Sequence, residues 1–520
     1  MTKNRFTSLS VNRRQFGAGL LGTAALISAA PRMAWSATAE PKRGGVLRVA
    51  THVQSANDTF DPAKFTFSND YIRGTTFYNT LTVPNENNEP QPELAESWEA
   101  DATGKNWTFK LRKGITFHDG SSMTAQDVVF SIMRHKVEET ASSARPLVAN
   151  ITGVDIDNAD TIVVRLESPD ADLPNLMGIF QFAILKDGTT DFAKPNGTGP
   201  FTLKEFKPGV RTVGVRNGNY WKEGRPYVDE IELFYITDPI ARLNALLAGD
   251  AHMVSELRGT AIDEVSKSET TKLFTATAPR YSFIRGVVDI PPADNEDLRL
   301  VFAHLVNRKR FVETVLKGKA SLGNDHPFLG TSPLYNADIP QRELDHDKAK
   351  FHLQKSGIGS GKVEFHVSDA APYGLELGQL LQREAAAIGF NMDLRREPAD
   401  SYWNTIAGKR AFFIDAHSPR PTYNIMLTLF WKSTAPWNHS HFKDEKLDKL
   451  IDEGRSTLDL AKRKEIYGAA QRIIHDSASS IIPAFMDYVD GVANSVQGLV
   501  PGPLGNFGGF NFADKVWLDS

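Results

Sequence analysis

Trp107-Thr108-Phe109-Lys110-Leu111-Arg112-Lys113-Gly114-Ile115-Thr116-Phe117-His118-Asp119-Gly120, with Thr124-Ala125-Gln126-Asp127-Val128-Val129-Phe130-Ser131-Ile132 shortly after, lays out strand, turn and capped helix in one stretch. Residues 107–112 alternate apolar and polar side chains, the period of a strand with one buried face. Lys113-Gly114 supplies a turn, and Ile115-Thr116-Phe117 resume the alternation up to a second turn at Asp119-Gly120. Thr124 is placed to cap a helix, with Asp127 closing a capping box and Met123 and Val128 stapling its entry. His118 and Asp119 are residue types of metal and acid–base sites. Two ligands do not make a metal site, and the pair reads as the turn between strand and helix.

Extended back through Glu93-Leu94-Ala95-Glu96-Ser97-Trp98-Glu99, the stretch resembles the signature of the family-5 extracytoplasmic solute-binding proteins. These are the peptide-, opine- and nickel-complex-binding receptors of bacterial ABC importers. Further landmarks are Gly44-Gly45 before a strand at 46–50, Asp61-Pro62, Tyr78-Asn79-Thr80-Leu81, Gly197-Thr198-Gly199-Pro200-Phe201 and Arg216-Asn217-Gly218-Asn219-Tyr220-Trp221. Leu298-Arg299 with Asn307-Arg308 also matches, although the family usually has Asp-Arg at the second place. The resemblance implies an α/β, two-lobed periplasmic-binding-protein fold (type II-like, cluster C) with an extra subdomain in the first lobe. On that pattern lobe I is 40–274 plus 485–520, with the insertion at about 85–195, and lobe II is 275–484. A ligand would be enclosed between the lobes by hinge closure, with chain crossings near 275–285 and 483–488.

The 520 residues suffice for two or three domains, and 41% hydrophobic with 23% charged residues is an ordinary globular balance. There is no cysteine, which excludes disulfides, thiolate metal sites, cysteine nucleophiles and lipid attachment through an N-terminal cysteine. Arg13-Arg14, an apolar run over 17–30 and Ala37-Thr38-Ala39 have the three-part layout of a signal peptide, with a cleavage site near Ala39. Asn12-Arg13-Arg14-Gln15-Phe16-Gly17 resembles the twin-arginine export consensus. Residues 1–39 carry five basic side chains and no acidic one, so their removal takes the formal charge from −4 to −9. So acidic a body is ill suited to phosphate backbones or anionic lipid, and the mature chain is expected in the periplasm without nucleic acid.

Strand alternation recurs at 161–166, 231–236, 362–367 and 390–394. Helical periodicity marks 239–248, 297–316, 376–388, 444–453 and 460–475. The strand, helix and strand between 362 and 394 make a βαβ unit and predict a parallel pair. Gly197 and Gly199 lack the Lys-Ser/Thr of a phosphate loop and read as a tight turn into a strand. The glycine-rich tail at 502–509 reads as a loop hugging the surface.

Ligands in such architectures favour seams between domains. At the first crossing Arg280, Tyr281 and Arg285 either line the cleft or face a lobe surface. Ile414-Asp415-Ala416-His417-Ser418-Pro419-Arg420-Pro421-Thr422-Tyr423 falls where peptide-binding members usually carry Asp-x-x-Asp-Pro-Asp, whose first aspartate neutralises the peptide's ammonium. Here His417 takes that first position, Arg420 replaces the acid between the prolines, and Asp415 is expected on the opposite face of the strand. Arg420 is either a bidentate clamp for a carboxylate or phosphate, or the partner of a lobe carboxylate. Trp431, Trp437 and Asn438 occupy a stretch where the family offers pocket aromatics and an asparagine; each tryptophan is a pocket wall or simple core. His439 and His441 would share a strand face, but without a third ligand they make no metal site.

These residues point to a receptor for a short peptide or peptide-like solute, a monomer that delivers to ABC transporter permease subunits and needs no metal or cofactor. An opine or other sugar–amino-acid conjugate, or a metal chelate, is the alternative ligand. A twin-arginine-exported enzyme is the alternative class. Against it, the chain carries no Gly-x-Ser-x-Gly elbow, no His-Glu-x-x-His and no dinucleotide Gly-x-Gly-x-x-Gly after a strand.

Overall fold

The computed structural model describes residues 40–53, 55 and 57–519. The leader expected over 1–39 lies outside them. Among the described residues no helix is long and apolar enough to cross a membrane.

Three sheets carry the architecture, which is the expected two-lobed α/β type. A seven-stranded sheet runs Thr271–Ala276, Tyr488–Ala493, Met253–Val254, Val46–Thr51, Glu230–Tyr235, Arg211–Arg216 and Phe201–Lys207 in spatial order. Val46–Thr51 lies at its centre, parallel to both of its neighbours. Leu47 and Val49 on one face and Ala50 on the other are buried there, as expected of a strand covered on both faces. A five-stranded sheet runs Met392–Arg396, Val363–Val367, Phe412–His417, Tyr281–Gly286 and Ser480–Ile481. Val363–Val367 pairs parallel with Met392–Arg396 across the helix Gly374–Ala387, the predicted βαβ unit.

The stretch that opened the sequence reading builds the third sheet. Asn106–Leu111 pairs antiparallel with Ala95–Ala100 on one side and Thr161–Leu166 on the other. Its alternation is real: Trp107, Phe109 and Leu111 are buried while Lys110 is exposed. The helix Ala125–Met133 begins at the predicted capping box, with the Thr124 amide donating to Asp127 Oδ2 at 2.6 Å, and packs Val128 and Ile132 onto this sheet. Residues 115–117 form no full strand. A single bridge between Thr116 and Ser122 closes around the Asp119-Gly120 turn. His118 is part of that turn, its ring within reach of the carbonyls of Pro195 and Gly199.

Two sequence expectations give way to tertiary context. The single helix expected over 297–316 is broken: Glu296–Leu305 ends at Val306, whose backbone is extended. Asn307 then caps a new turn through a hydrogen bond from the Arg310 amide. An asparagine competes with helical backbone hydrogen bonding and favours a cap, so the departure from Asp-Arg falls on a start signal. The glycine-rich tail is no surface loop. Asn506 and Phe507 are buried, and both donate to Asp490 of the seven-stranded sheet, at 2.7 and 2.6 Å.

The strand Phe201–Lys207 follows the 197–200 turn as expected, and the glycines there have a packing reason. A Cβ on Gly199 would collide with the backbone of Phe77 and Tyr78 at the end of the helix Ser68–Phe77. Gly199→Ala therefore lowers unfolding free energy by about 1–3 kcal/mol, the range for overpacking a rigid site, as read by urea denaturation.

Candidate ligand-binding cleft

The chain passes between the two large sheets twice. Residues 277–280 lead from Thr271–Ala276 to Tyr281–Gly286, and Asp487 separates Ala484–Met486 from Tyr488–Ala493. The two passages lie side by side, with the Met486 amide donating to the Arg280 carbonyl at 2.9 Å. The Arg280 guanidinium binds them together. It donates to the carbonyls of Met486 and Asp487, pairs with Glu256 at 3.0 Å, and lies 4.0 Å from the centre of the Tyr488 ring. Its donors are thus spent within the crossing. Burial alone would raise Glu256, but Arg280, Arg258 and His52 outweigh it and hold this carboxylate well below its usual range.

The run 414–420 divides into a buried part and a cleft part. Phe412–His417 pairs with Tyr281–Gly286, and Asp415 is fully enclosed with Arg285, whose Nε donates to it at 3.1 Å. His439 Nδ1 reaches the same carboxylate oxygen at 3.1 Å. His417 Nε2 lies 3.9 Å from it, so Asp415 and His417 occupy one face and not opposite ones. Residues two apart in a strand share a face. Burial pushes His417 well below its ordinary pKa, so it sits there neutral, stacked on Phe430 at 3.8 Å. Burial would raise Asp415, yet Arg285 and the hydrogen bond from His439 hold it well below the carboxylate range.

Tyr281 and Trp431 belong to the same packed interior. Tyr281 is fully buried with its hydroxyl 3.3 Å from His417 Nδ1, and Trp431 meets the His417 ring edge-on. Trp437 is half exposed and stacks on Phe430. Asn438 donates to the carbonyls of Lys432 and Phe442 and so shapes its own loop. That loop is not a strand, and His441 has a positive φ, so the two histidines diverge: His439 turns to Asp415 and His441 to Asp289. Among the described residues no three His, Cys, Asp or Glu side chains are grouped to hold a metal ion.

Arg420 stands apart. It lines a cavity of about 630 Å³ whose walls come from residues 86–107, 171–175, 275–279, 329–334, 420–426 and the tail at 501–503. Among the described residues the Arg420 guanidinium reaches only the carbonyl of Pro419, at 3.3 Å, and the face of Phe430. It has no carboxylate partner among the described residues, which argues against the ion-pair reading. Burial lowers its pKa, and the groups that offset this are the phenols of Tyr71, Tyr281 and Tyr488. The other cation on the wall, Arg463, is already paired with Asp172 at 2.6 Å. Glu86 and Glu89 lie on exposed backbone at the cavity's edge.

Of the eight candidate residues only Arg420 therefore reaches this cavity. The walls missed by the sequence reading are Trp98 and Trp107 of the third sheet and the Pro501-Gly502-Pro503 segment. Trp107 was legible only as core, and the tail carried no signal beyond its glycines. The Asn88 side-chain amide donates to the Pro421 carbonyl at 2.6 Å, and the Ala171 backbone amide to the Arg455 carbonyl at 2.9 Å, so hydrogen bonds bridge the cleft.

Losing one partner of the enclosed Arg285–Asp415 pair strands a charge, so Asp415→Asn costs about 3–5 kcal/mol of stability at neutral pH. The folded pKa of Asp415 lies below its unfolded value of about 4, so its contribution is complete above about pH 5 and fades as pH falls. Denaturant titrations will show the gap between the protein and this variant full-sized above pH 5 and narrowing below pH 4.

Comparison with known proteins agrees with this geometry. The model of the bacterial extracellular solute-binding proteins, family 5, matches residues 89–437. The dipeptide-binding protein of Escherichia coli K12 is 26% identical, over 87% of this chain and 92% of its own. The periplasmic binding protein DppA of Helicobacter pylori, solved with the peptide STSA, superposes with a TM-score of 0.76 at 23% identity, over 92% of this chain and 99% of its own. AgaA of A. tumefaciens R10, solved with agropinic acid, gives a TM-score of 0.74 at 22% identity, over 92% and 99%. Two sheets joined by paired crossings, an inserted antiparallel sheet and a cavity between them are thus accounted for together, and the chain belongs to the bacterial extracellular solute-binding proteins, family 5.

Proposed function

We propose that this chain is the periplasmic receptor of an ABC importer and that its solute is a small, peptide-like anion held by Arg420. The observation that carries the ligand assignment is a half-buried guanidinium on the cavity wall with no acidic partner among the described residues. A desolvated cation without a counter-charge is costly, and a bidentate carboxylate from the ligand would supply one. No chemistry on the solute is needed. Binding draws the two lobes together by favouring the closed form, and that form docks on the permease as a monomer.

A receptor for free amino termini needs an anion facing the ligand. The family's usual position for it holds His417, which is neutral and enclosed, and the neighbouring Asp415 is committed to Arg285. This favours a solute whose amine is absent or substituted, such as an opine-type conjugate, over an ordinary dipeptide. AgaA, a structural neighbour solved with agropinic acid, is consistent with this reading.

Isothermal titration against N-acetylated amino acids and opine-type conjugates tests the reading. Arg420→Ala is expected to weaken a carboxylate ligand by about a hundredfold or more, the loss from truncating a desolvated charge pair. Unchanged affinity would remove Arg420 from the site.

A further inference from the structure

A second cavity, of about 370 Å³, adjoins the first and shares Asp172 and Thr422 with its walls. One side is formed by residues 146–150 and 170–176, next to the third sheet, and the other by the helix Tyr423–Phe430 and residues 434–436. Leu147, Leu176, Ile425 and Leu429 line it, with Pro146 and Pro436 at an exposed rim. Asp172 gives one oxygen to Arg463, and Arg455, which reaches Ser168, stands beside Asp170. Burial, with Asp172 second, pushes Asp170 up to about 6.

We infer that this second cavity is a subsite for the uncharged, apolar end of the same ligand, so that the solute is an amphipathic anion with its carboxylate at Arg420. The inference rests on the reading of Arg420 given above. Thr422 lies two residues from Arg420, no more than about 7 Å along extended backbone. A chain of six to ten carbons leaving the carboxylate therefore spans the distance past Thr422. A methylene chain entering there would leave water for the leucines and Ile425 that line the cavity. Because the walls belong to opposite sides of the cleft, filling the subsite also favours closure.

The test is titration calorimetry of the full-length mature chain with N-acylglycines bearing two-, six- and ten-carbon acyl groups. Affinity is expected to rise by about threefold to fourfold for each methylene that reaches the subsite. Thr428→Trp and Ala149→Trp, which fill it from opposite walls, should reduce the ten-carbon ligand to the two-carbon level and leave the two-carbon ligand unchanged. Affinity that is flat with chain length, or an equal loss for all ligands in both variants, overturns the subsite. If the two-carbon ligand still depends on Arg420 in that case, the anion reading survives. Binding that ignores Arg420→Ala, or no binding by any member of the series, overturns both.

Discussion

The Arg280–Glu256 pair is the constraint on which the rest of the molecule depends. Two chain passages must cross between the large sheets, and both carry backbone polar groups into a region with little water. Arg280 satisfies the carbonyls of one passage from the other, while Glu256 supplies the counter-charge. Glu256 is in turn placed by its own amide, which donates to Asp490 at 3.0 Å. Asp490 also takes the amide of Phe507 and the side chain of Asn506. One chain of charge-assisted hydrogen bonds therefore runs from the crossing to the tail and sets Pro501-Gly502-Pro503 against the cavity. The tail needs its glycines for this turn: Gly508 has a φ of +76° and lies against the Val500 carbonyl, where a side chain would not fit.

What could be read from the residues follows the range of the forces involved. The strand Asn106–Leu111, the Thr124–Asp127 cap and the βαβ unit are set by neighbours within a turn or two, and each was legible. The break at Asn307 was visible as a departure from pattern but not as a cap, since helical periodicity continues through it. The tail was illegible because its partner, Asp490, is 16 to 17 residues away and reached only through the fold.

The site shows the same division more sharply. Asp415, His417, Tyr281 and Trp431 are residue types that line pockets, and here they line each other. Asp415 meets Arg285 from 130 residues away, and no local pattern announces that pairing. His439 and His441 lost their shared face because the segment is a loop with a left-handed residue, so strand periodicity did not apply. Arg420 was legible as a departure from the family's acidic run. Whether it had a partner was a tertiary question.

The answer to that question gains weight from the other buried arginines. Arg73 meets Asp58 and Asp70, Arg285 meets Asp415, and Arg308 meets Asp325. Arg242 and Arg299 have no ion pair among the described residues but are surrounded by backbone carbonyls: Ile236, Thr237, Ser255 and Glu256 for the first, Ala293, Asp294 and Ser477 for the second. Each of these guanidiniums thus meets at least one carboxylate or several carbonyls. Arg420 has one carbonyl, from the residue beside it, and an aromatic face. Both leave most of its five donors directed elsewhere, and the cavity is what lies beside them. A guanidinium left in this state costs stability in the empty protein, and an anion that enters the cleft recovers it. That cost is the means by which binding and closure become coupled, since the counter-charge arrives with the solute.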